Sequence, residues 1–591
     1  MSLQKPGRYT GGEPGTIIKN AENITRFAFC FPDTYEIGMS YLGMQILYFF
    51  INKRNDTWCE RAFMPVQDAL DLFQAEKILL FANESRQPLL KFDFLGFTLQ
   101  YELSYTNILA MLDLAGIPLL SKDREEEHPI ICAGGPCAFN PEPMSRFIDF
   151  FYLGDGEASL DEILDVYNKK THTNKMEFLK SIANIPGVYV PVLYNTTYDN
   201  EGKIISFKPV DDAPCVVKRA VAPLSYFPET LITPLIEIVH DRAVVEIARG
   251  CQHGCRFCQA GFIYRPMRER SADDILNYTN KILNSTGQEE VSLLSLSACD
   301  YSNFETLIKN LVKMCEEKRV SISLPSTRLD AIDIISSIKT LRKSSITVAP
   351  EAGSQRLRDI INKNLTETEI LDGCLKAFTS GFDKIKLYFM AGLPMEEQSD
   401  LDEILVLAQK IVDKYYELSY EERKRPVSVN ISTSCFVPKP FTPFQWAQTE
   451  NPETFHSKQK ELKGKLRSKR ITYRYHDAFS AQIESILAGG DRKLGDVILC
   501  AYKNGAFFDG WSEFFSYEKW GTAFAEAGLD INFYLRERDI NEILPWDFID
   551  AGITKEFLVT EWQNAKSGKI TLGCKESCSG CLGENTCKDF V

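Results

Sequence analysis

Between residues 26 and 160, short apolar runs alternate with longer stretches whose apolar positions recur every three or four residues. The runs at 26–31, 60–64, 92–99, 129–133 and 147–153 predict five strands separated by helices, the signature of a doubly wound parallel sheet. Five strands suffice for a flavodoxin-like, Rossmann-like domain, in which a ligand sits beyond the carboxyl ends of the strands. A second alternating region predicts strands at 244–247, 290–296, 320–324, 345–349, 384–390 and 427–435. Six βα units of this kind fit a partial (β/α)6 barrel, where chemistry gathers at the C-terminal strand ends. Past Ala447 the pattern turns mostly helical, so the chain reads as α/β throughout. The expected divisions are an arm at 1–25, a first domain at 26–160, a bridge at 161–234, the barrel at 235–446, helices at 447–565 and a cysteine-rich tail at 566–591.

Composition narrows the setting. A chain of 591 residues predicts three or four domains, and 44% hydrophobic with 25% charged residues describes a soluble globular protein. No run approaches the roughly 20 apolar residues of a membrane span. The opening MSLQKPGRYTGGEPG lacks a charged-then-apolar signal, so no export and a cytoplasmic setting are expected. There, 17 cysteines predict free thiols and metal ligands rather than disulfides. A net charge of -14 disfavours wholesale electrostatic attachment to nucleic acid or an anionic membrane.

The chemistry centres on 243–261, AVVEIARGCQHGCRFCQAG, which sets Cys251, Cys255 and Cys258 in the spacing C-x3-C-x2-C. Three such thiolates can hold three irons of a 4Fe-4S cluster and leave the fourth open to a small molecule. Zinc sites usually offer four ligands in two separated pairs; His253 as a fourth ligand is awkward inside so tight a loop, and chance placement is a third reading. The tail repeats the spacing in CKESCSGCLGENTC, where Cys574, Cys578, Cys581 and Cys587 can fully ligate either zinc or a second 4Fe-4S cluster. Disulfides or idle thiols are the alternative there.

The first cysteine loop resembles that of radical S-adenosylmethionine (SAM) enzymes, which seat SAM on the open iron, and Phe257 before the third cysteine fits their pattern. Upstream, PDTYEIG (32–38), GFTLQYE (96–102), CAGGPCAFNPEP (132–143) and LGDGE (153–157) resemble, in order and kind, the strand ends of a cobalamin-binding domain. Its signature D-x-H-x-x-G maps onto Asp33, Tyr35 and Gly38, with Tyr35 in place of the cobalt-binding histidine. Tyrosine is a poor ligand for that cobalt, which implies water or nothing on its lower face. Thr98 stands for the serine of the second motif, and Gly134 with Gly135 supplies the third, where glycines let backbone approach a nucleotide tail. The bland reading is ordinary turn glycines in a sheet that binds nothing.

Downstream, LSLSACDYS (294–302) takes the place of the segment that holds the SAM amino group, with Ser297 and Asp300 as candidates, although it departs from the usual G-G-E. SLPSTRLD (323–330) and APEAGSQRLRDIINKN (349–364) resemble the segments contacting SAM ribose and carboxylate, which implicates Ser326, Arg328, Glu351 and Arg358. Gly392 in KLYFMAGLP would let adenine pass, and the prolines of CFVPKPFTPFQW (435–446) favour a rigid aromatic rim. With RYTGGE and FPDTYEIGMSYLG, nearly the whole chain resembles the B12-binding radical SAM proteins.

That resemblance implies three cofactors: a 4Fe-4S cluster, SAM and cobalamin. From the class of cobalamin-dependent radical SAM methylases it implies methylation of an unactivated carbon through methylcobalamin, with SAM also split to a 5'-deoxyadenosyl radical. An electron donor such as flavodoxin or ferredoxin is the expected partner, no membrane is, and the substrate is an RNA, a peptide or a small molecule. Alternatives are non-methylating cobalamin chemistry, a methylthiotransferase acting on RNA or protein, and an RNA- or protein-binding redox module. The last rests on the basic run 458–474, with Tyr473 and Tyr475 alongside, for which a solvated helix face is the duller account.

Overall fold

A computed structural model describes residues 3–323, 345–423 and 426–582. Its N-terminal sheet contains β1 (Thr25–Phe31), β2 (Thr57–Phe63), β3 (Phe94–Thr98), β4 (Ile130–Gly134), β5 (Phe150–Tyr152) and β6 (Val188–Tyr189). The spatial order is β2-β1-β3-β4-β5-β6, parallel except for the antiparallel β6. This is flavodoxin-like winding, with the order reversing between β1 and β3. Helices such as Leu42–Asn52 and Tyr105–Leu114 connect its strands, and β1 and β2 have no exposed residue. Near-continuous burial explains why the strands read as apolar runs. In β2 that run is interrupted by Glu60 and Arg61, which are buried because Arg26 pairs with Glu60 and Arg61 pairs with Glu13 and Glu84.

The second region builds two further parallel sheets. One holds β7 (Ala243–Glu246), β8 (Glu290–Leu294) and β9 (Ser321–Ser323); the other holds β10 (Ile346–Glu351), β11 (Lys384–Ala391), β12 (Ser428–Cys435) and β13 (Ile471–Tyr475). The six expected strands are present, and helices with clear stop and start signals join them. Ser271 caps the helix Ala272–Thr286, which ends at Gly287 in the left-handed region, and Thr366 with Glu369 forms a capping box on Glu367–Thr379.

One strand departs from the sequence pattern. The basic run 458–474 is split between the helix Pro452–Lys465 and the added strand β13, which pairs with β12. Lys458 pairs with Glu396 and Glu450, and Lys465 with Asp402 and Glu461, so part of the positive charge is neutralised in place.

The C-terminal helices return to the first domain. Val217–Lys218 pairs in parallel with Ile549–Asp550, Arg492 pairs with Glu142, and Thr106 donates 2.8 Å to Asp509. Residues 483–565 share one apolar core with the N-terminal sheet, and so do Phe436, Phe441, Phe444 and Trp446 of the proline-rich segment. Those aromatics therefore fill a core, and Lys439 among them reaches Glu102 at 2.7 Å and Glu484 at 2.9 Å.

Candidate functional site

The chain leaves β7 into a loop with a pinned neck, because Ala248–Arg249 pairs antiparallel with Arg268–Glu269. Gly250 sits in that neck with φ +92°, and a Cβ there would lie 2.6 Å from the Tyr264 carbonyl oxygen and 2.8 Å from that of Pro266. Only glycine fits so close an approach. Inside the loop, Cys251, Cys255 and Cys258 are half-buried, and the Cys258 N–H donates to the Cys255 carbonyl at 3.0 Å. Burial pushes the Cys251 thiol up to about 12 and the Cys258 thiol up to about 11. Cys251 and Cys258 are thus held as thiols, and a bound metal would have to displace their protons. Among the described residues no three or more His, Cys, Asp or Glu side chains converge on one metal ion. Thiols capping separate irons of a cluster stand further apart than ligands sharing one ion.

Two polar side-chain pairs flank the loop. His253 Nε2 lies 2.6 Å from Asp300 Oδ2, so its ring faces the segment after β8. At the end of β10, Glu351 holds φ +65°, an uncommon value for a residue with a side chain, and its carboxylate lies 3.2 Å from Lys363 Nζ. Burial would lower the Lys363 ammonium pKa, but Cys255 and Glu351 nearby raise it above its ordinary value. A fixed cation therefore stands beside the cysteine loop.

A cavity of about 600 Å³ opens next to it. Its walls are the carboxyl ends of β3, β4 and β5 on one side, at Thr98, Gly134, Gly135 and Asp155, and the ends of β7 and β8 on the other, at Glu246 and Ser295. It reaches Gly250, the residue before Cys251. Arg249 ties the two sides together, donating to Asp155 at 2.8 Å, Glu157 at 3.1 Å and Glu246 at 3.0 Å. Phe27, Phe29, Ile46 and Leu47 make a large part of the wall apolar. The buried Ser295 hydroxyl has no hydrogen-bond partner, which marks a polar point on that wall waiting for one. Gly135, at φ +111°, would bring a Cβ to 2.8 Å from the Leu99 carbonyl.

The remaining candidates are distributed unevenly. Thr98 lines the cavity and accepts 2.6 Å from Gln100 Nε2. Asp33, Tyr35 and Gly38 lie outside its wall: Asp33 accepts from Trp511 Nε1 at 3.1 Å, and the buried Tyr35 hydroxyl donates to Glu13 at 3.0 Å. Gly38 makes room for the Phe63 ring, which a Cβ would meet at 2.5 Å. Tyr41 lines the wall instead, its hydroxyl bonded to Gln100 and its pKa pushed up to about 12 by burial.

Phe257 is partly buried against the main core, and Ser297 is half-buried at the start of the short helix Ala298–Asp300. Arg358 spends its donors on the carbonyls of Ala352, Gly353 and Leu365 and on Gln355. Gly392 faces the Phe455 ring, which a Cβ would meet at 2.3 Å. Ser326, Arg328 and Cys587 lie outside the described residues. Tyr41, Ser295, Lys363 and Arg249 were not singled out by the sequence pattern, although each sits within or beside a motif that was.

In the tail, Cys574 and Cys578 are exposed and Cys581 is buried. The Cys574 N–H donates to the Gln252 carbonyl at 3.1 Å, so this segment lies directly on the first cysteine loop. No described helix is long and apolar enough to cross a membrane.

Residues 43–191 match the family of radical SAM proteins, N-terminal, and residues 245–408 match the radical SAM superfamily. The chain is 28% identical over 488 residues to the uncharacterized protein MJ0966 of Methanocaldococcus jannaschii, covering 81% of this chain and 91% of that one. It is 22% identical to a tRNA-2-methylthio-N(6)-dimethylallyladenosine synthase of Acetivibrio thermocellus over 45% of this chain and 54% of that one. Among solved structures, the radical SAM methyltransferase TsrM of Kitasatospora setae, with cobalamin and a 4Fe-4S cluster bound, aligns over 73% of this chain and 76% of that one, at 11% identity and a TM-score of 0.48.

Proposed function

Because this chain is a radical SAM enzyme, with family matches at 43–191 and 245–408, we propose that it uses cobalamin and methylates an unactivated carbon. The observation that carries this reading is the cavity whose walls come from the strand ends of both domains and which reaches the residue before Cys251. Such a crevice beyond the carboxyl ends of a doubly wound sheet is where that fold binds its ligands. When bound, the cluster with SAM supplies a 5'-deoxyadenosyl radical and cobalamin supplies the methyl group.

The chain's own residues divide the remaining work. Cys251, Cys255 and Cys258 would hold the cluster, and Lys363 beside them offsets its negative charge. Gly134 and Gly135 would let backbone approach a bulky ligand, while Thr98, Gln100 and Tyr41 offer a hydrogen-bonded polar row on the cavity wall. Tyr41, with its raised pKa, keeps its proton at neutral pH and can donate. Ser295 supplies an unspent hydroxyl on the opposite wall. The apolar wall at Phe27, Phe29, Ile46 and Leu47 keeps water from a radical. A radical SAM enzyme of this kind also requires a low-potential electron donor, and an RNA, a peptide or a small molecule as substrate.

The test is anaerobic reconstitution with iron, sulfide and cobalamin, followed by assay of deoxyadenosine and S-adenosylhomocysteine formed from SAM. Formation of both products with cobalamin bound is expected. Deoxyadenosine alone would replace methylation by non-methylating radical chemistry, and a product carrying added sulfur would replace it by methylthiolation. Protein that binds no cobalamin would overturn the cavity's assignment.

A further inference from the structure

The sheet of β10–β13 has two unlike faces. One is apolar and covered: Ile385, Leu387, Val429 and Ile431 share a core with the helices Glu367–Thr379, Gln398–Glu417 and Pro452–Lys465. Alternate residues of each strand point the other way. There Lys384, Lys386 and Tyr388 of β11 and Arg474 of β13 are exposed, Tyr388 at 43%. A tyrosine left so open in the middle of a sheet contributes little to the core.

Register sets these side chains in rows. Lys386 stands beside Thr347 on one side and Asn430 on the other, and Asn430 stands beside Thr472. One step towards the carboxyl ends, Tyr388 stands beside Ser432 and Ser432 beside Arg474. Neither row contains a carboxylate, in a chain whose net charge is -14. Lys458 and Lys465 of the preceding helix are spent on glutamates and an aspartate, whereas among the described residues no ion pair holds Lys384, Lys386 or Arg474. Asn430 Oδ1 accepts from the hydroxyls of Ser428 at 3.3 Å and Thr472 at 2.6 Å, which leaves its NH2 end for a ligand. The tyrosines of the basic run lie on the covered side, Tyr473 bonded to Thr433 at 2.8 Å and Tyr475 partly buried against the same core.

Cations set close to an exposed ring, with hydrogen-bonding side chains between them, match one strand of a nucleic acid: phosphates meet the cations and a base stacks on the ring. An acidic peptide would satisfy the cations alone. Tyr388 stands three residues before the end of β11, about 10 Å at the rise of a strand. In barrels of parallel strands the chemistry gathers at that end.

We infer that this face of β10–β13 binds a single-stranded nucleic acid, with Lys386 and Arg474 on phosphates and Tyr388 on a base, and leads it to the strand ends as the substrate. That the strand is the substrate rests on the proposed function; that the face binds it does not.

The experiment follows fluorescence anisotropy of a labelled mixed-sequence single strand of about 12 nucleotides, as RNA and as DNA, added to the full chain in a salt titration. Binding of either strand is expected, and the tighter one identifies the sugar. Lys386→Gln/Arg474→Gln is expected to weaken binding and to make the log–log salt slope shallower by about 1.4, two phosphates at about 0.7 each. Tyr388→Ala is expected to weaken binding about 5- to 150-fold with the slope unchanged, and Tyr388→Phe, which keeps the ring, to retain it. Lys465→Gln, on the paired helix, is expected to bind as wild type does. A wild-type protein that binds neither strand, variants that all bind as well as wild type, or a glutamate-rich peptide that competes as well as the nucleic acid overturns the inference. SAM cleavage is followed separately. A protein that forms deoxyadenosine but binds no strand loses this inference and keeps the proposed function, while one that binds the strand through these residues and never cleaves SAM keeps the face and loses the function.

Discussion

The Lys363 ammonium lies 3.2 Å from the Glu351 carboxylate, beside the loop that carries Cys255 and Cys258. Both side chains are mostly buried, so removing one leaves the other without its counter-charge. Lys363→Met is expected to cost about 2–3 kcal/mol of stability, and Lys363→Met/Glu351→Leu to recover much of it. Urea unfolding of the two single variants and the double variant measures the coupling. If Glu351 also meets SAM, Glu351→Gln weakens SAM binding beyond what its stability loss explains.

Cys255→Ala changes a half-buried loop residue and leaves the sheets untouched. Its expected effect is complete loss of deoxyadenosine formation with an unchanged circular dichroism spectrum. Residual product at the wild-type rate would remove the loop from the chemistry.

Ser295 makes an unusual prediction because its hydroxyl is buried without a partner. Ser295→Ala relieves an unsatisfied polar group, a cost of about 1–3 kcal/mol, so the ligand-free variant is expected to melt no lower than wild type. The rise in melting temperature on adding cobalamin or SAM is expected to shrink. Thermal scans with and without each ligand report both effects.

Gly250→Ala forces a Cβ against the carbonyls of Tyr264 and Pro266 at a positive φ. Strain of about 1–3 kcal/mol is expected, together with opening of the loop's neck. Iron uptake on reconstitution should fall several-fold while the N-terminal sheet keeps its hydrogen-exchange protection.

Asp155 lies between Arg249 and Arg268 where the two domains meet. Burial would raise its carboxyl pKa, but the two guanidinium groups outweigh that and hold it below the ordinary value. A depressed folded pKa stabilises the protein above the unfolded carboxylate's titration and loses that contribution as pH falls through the folded value. The stability gap between wild type and Asp155→Asn is therefore widest near neutrality and closes in strong acid. Denaturant unfolding across the acid range tests the sign.

The strands were legible wherever both faces are covered, because β3, β4 and β5, and β1 from Phe27 onward, then read as near-continuous apolar runs. The start of β2 was blurred by Glu60 and Arg61, whose partners Arg26, Glu13 and Glu84 are distant in sequence. β13 was hidden for the opposite reason: ITYRY alternates, but it follows a lysine-rich helix whose pattern overwhelms five residues. In the site, the cysteine spacing alone pointed to the loop that follows Gly250 at the cavity's edge. The aromatic at the cavity was harder, since Tyr35 matches the motif yet packs on Phe63 and Glu13, whereas Tyr41 faces the open space. Ser295 and Ser297 differ by one strand period, and local sequence does not show which of them the cavity wall includes. Lys363 acquires its role only through the fold, which returns it to loop residues more than a hundred positions earlier.

The bond from Thr106 to Asp509 joins residues 403 apart in sequence. A ribosome therefore releases the first sheet long before the helices that complete its core exist. Until residues 483–565 arrive, apolar surface that they cover in the finished protein stays open to water and to other nascent chains. Long-range closure of this kind slows folding and ties the domains into one unit. A chain ended after residue 446 would retain the cysteine loop and most of the barrel strands, yet leave the N-terminal domain unsealed, so loss of activity there would report failed assembly rather than missing chemistry.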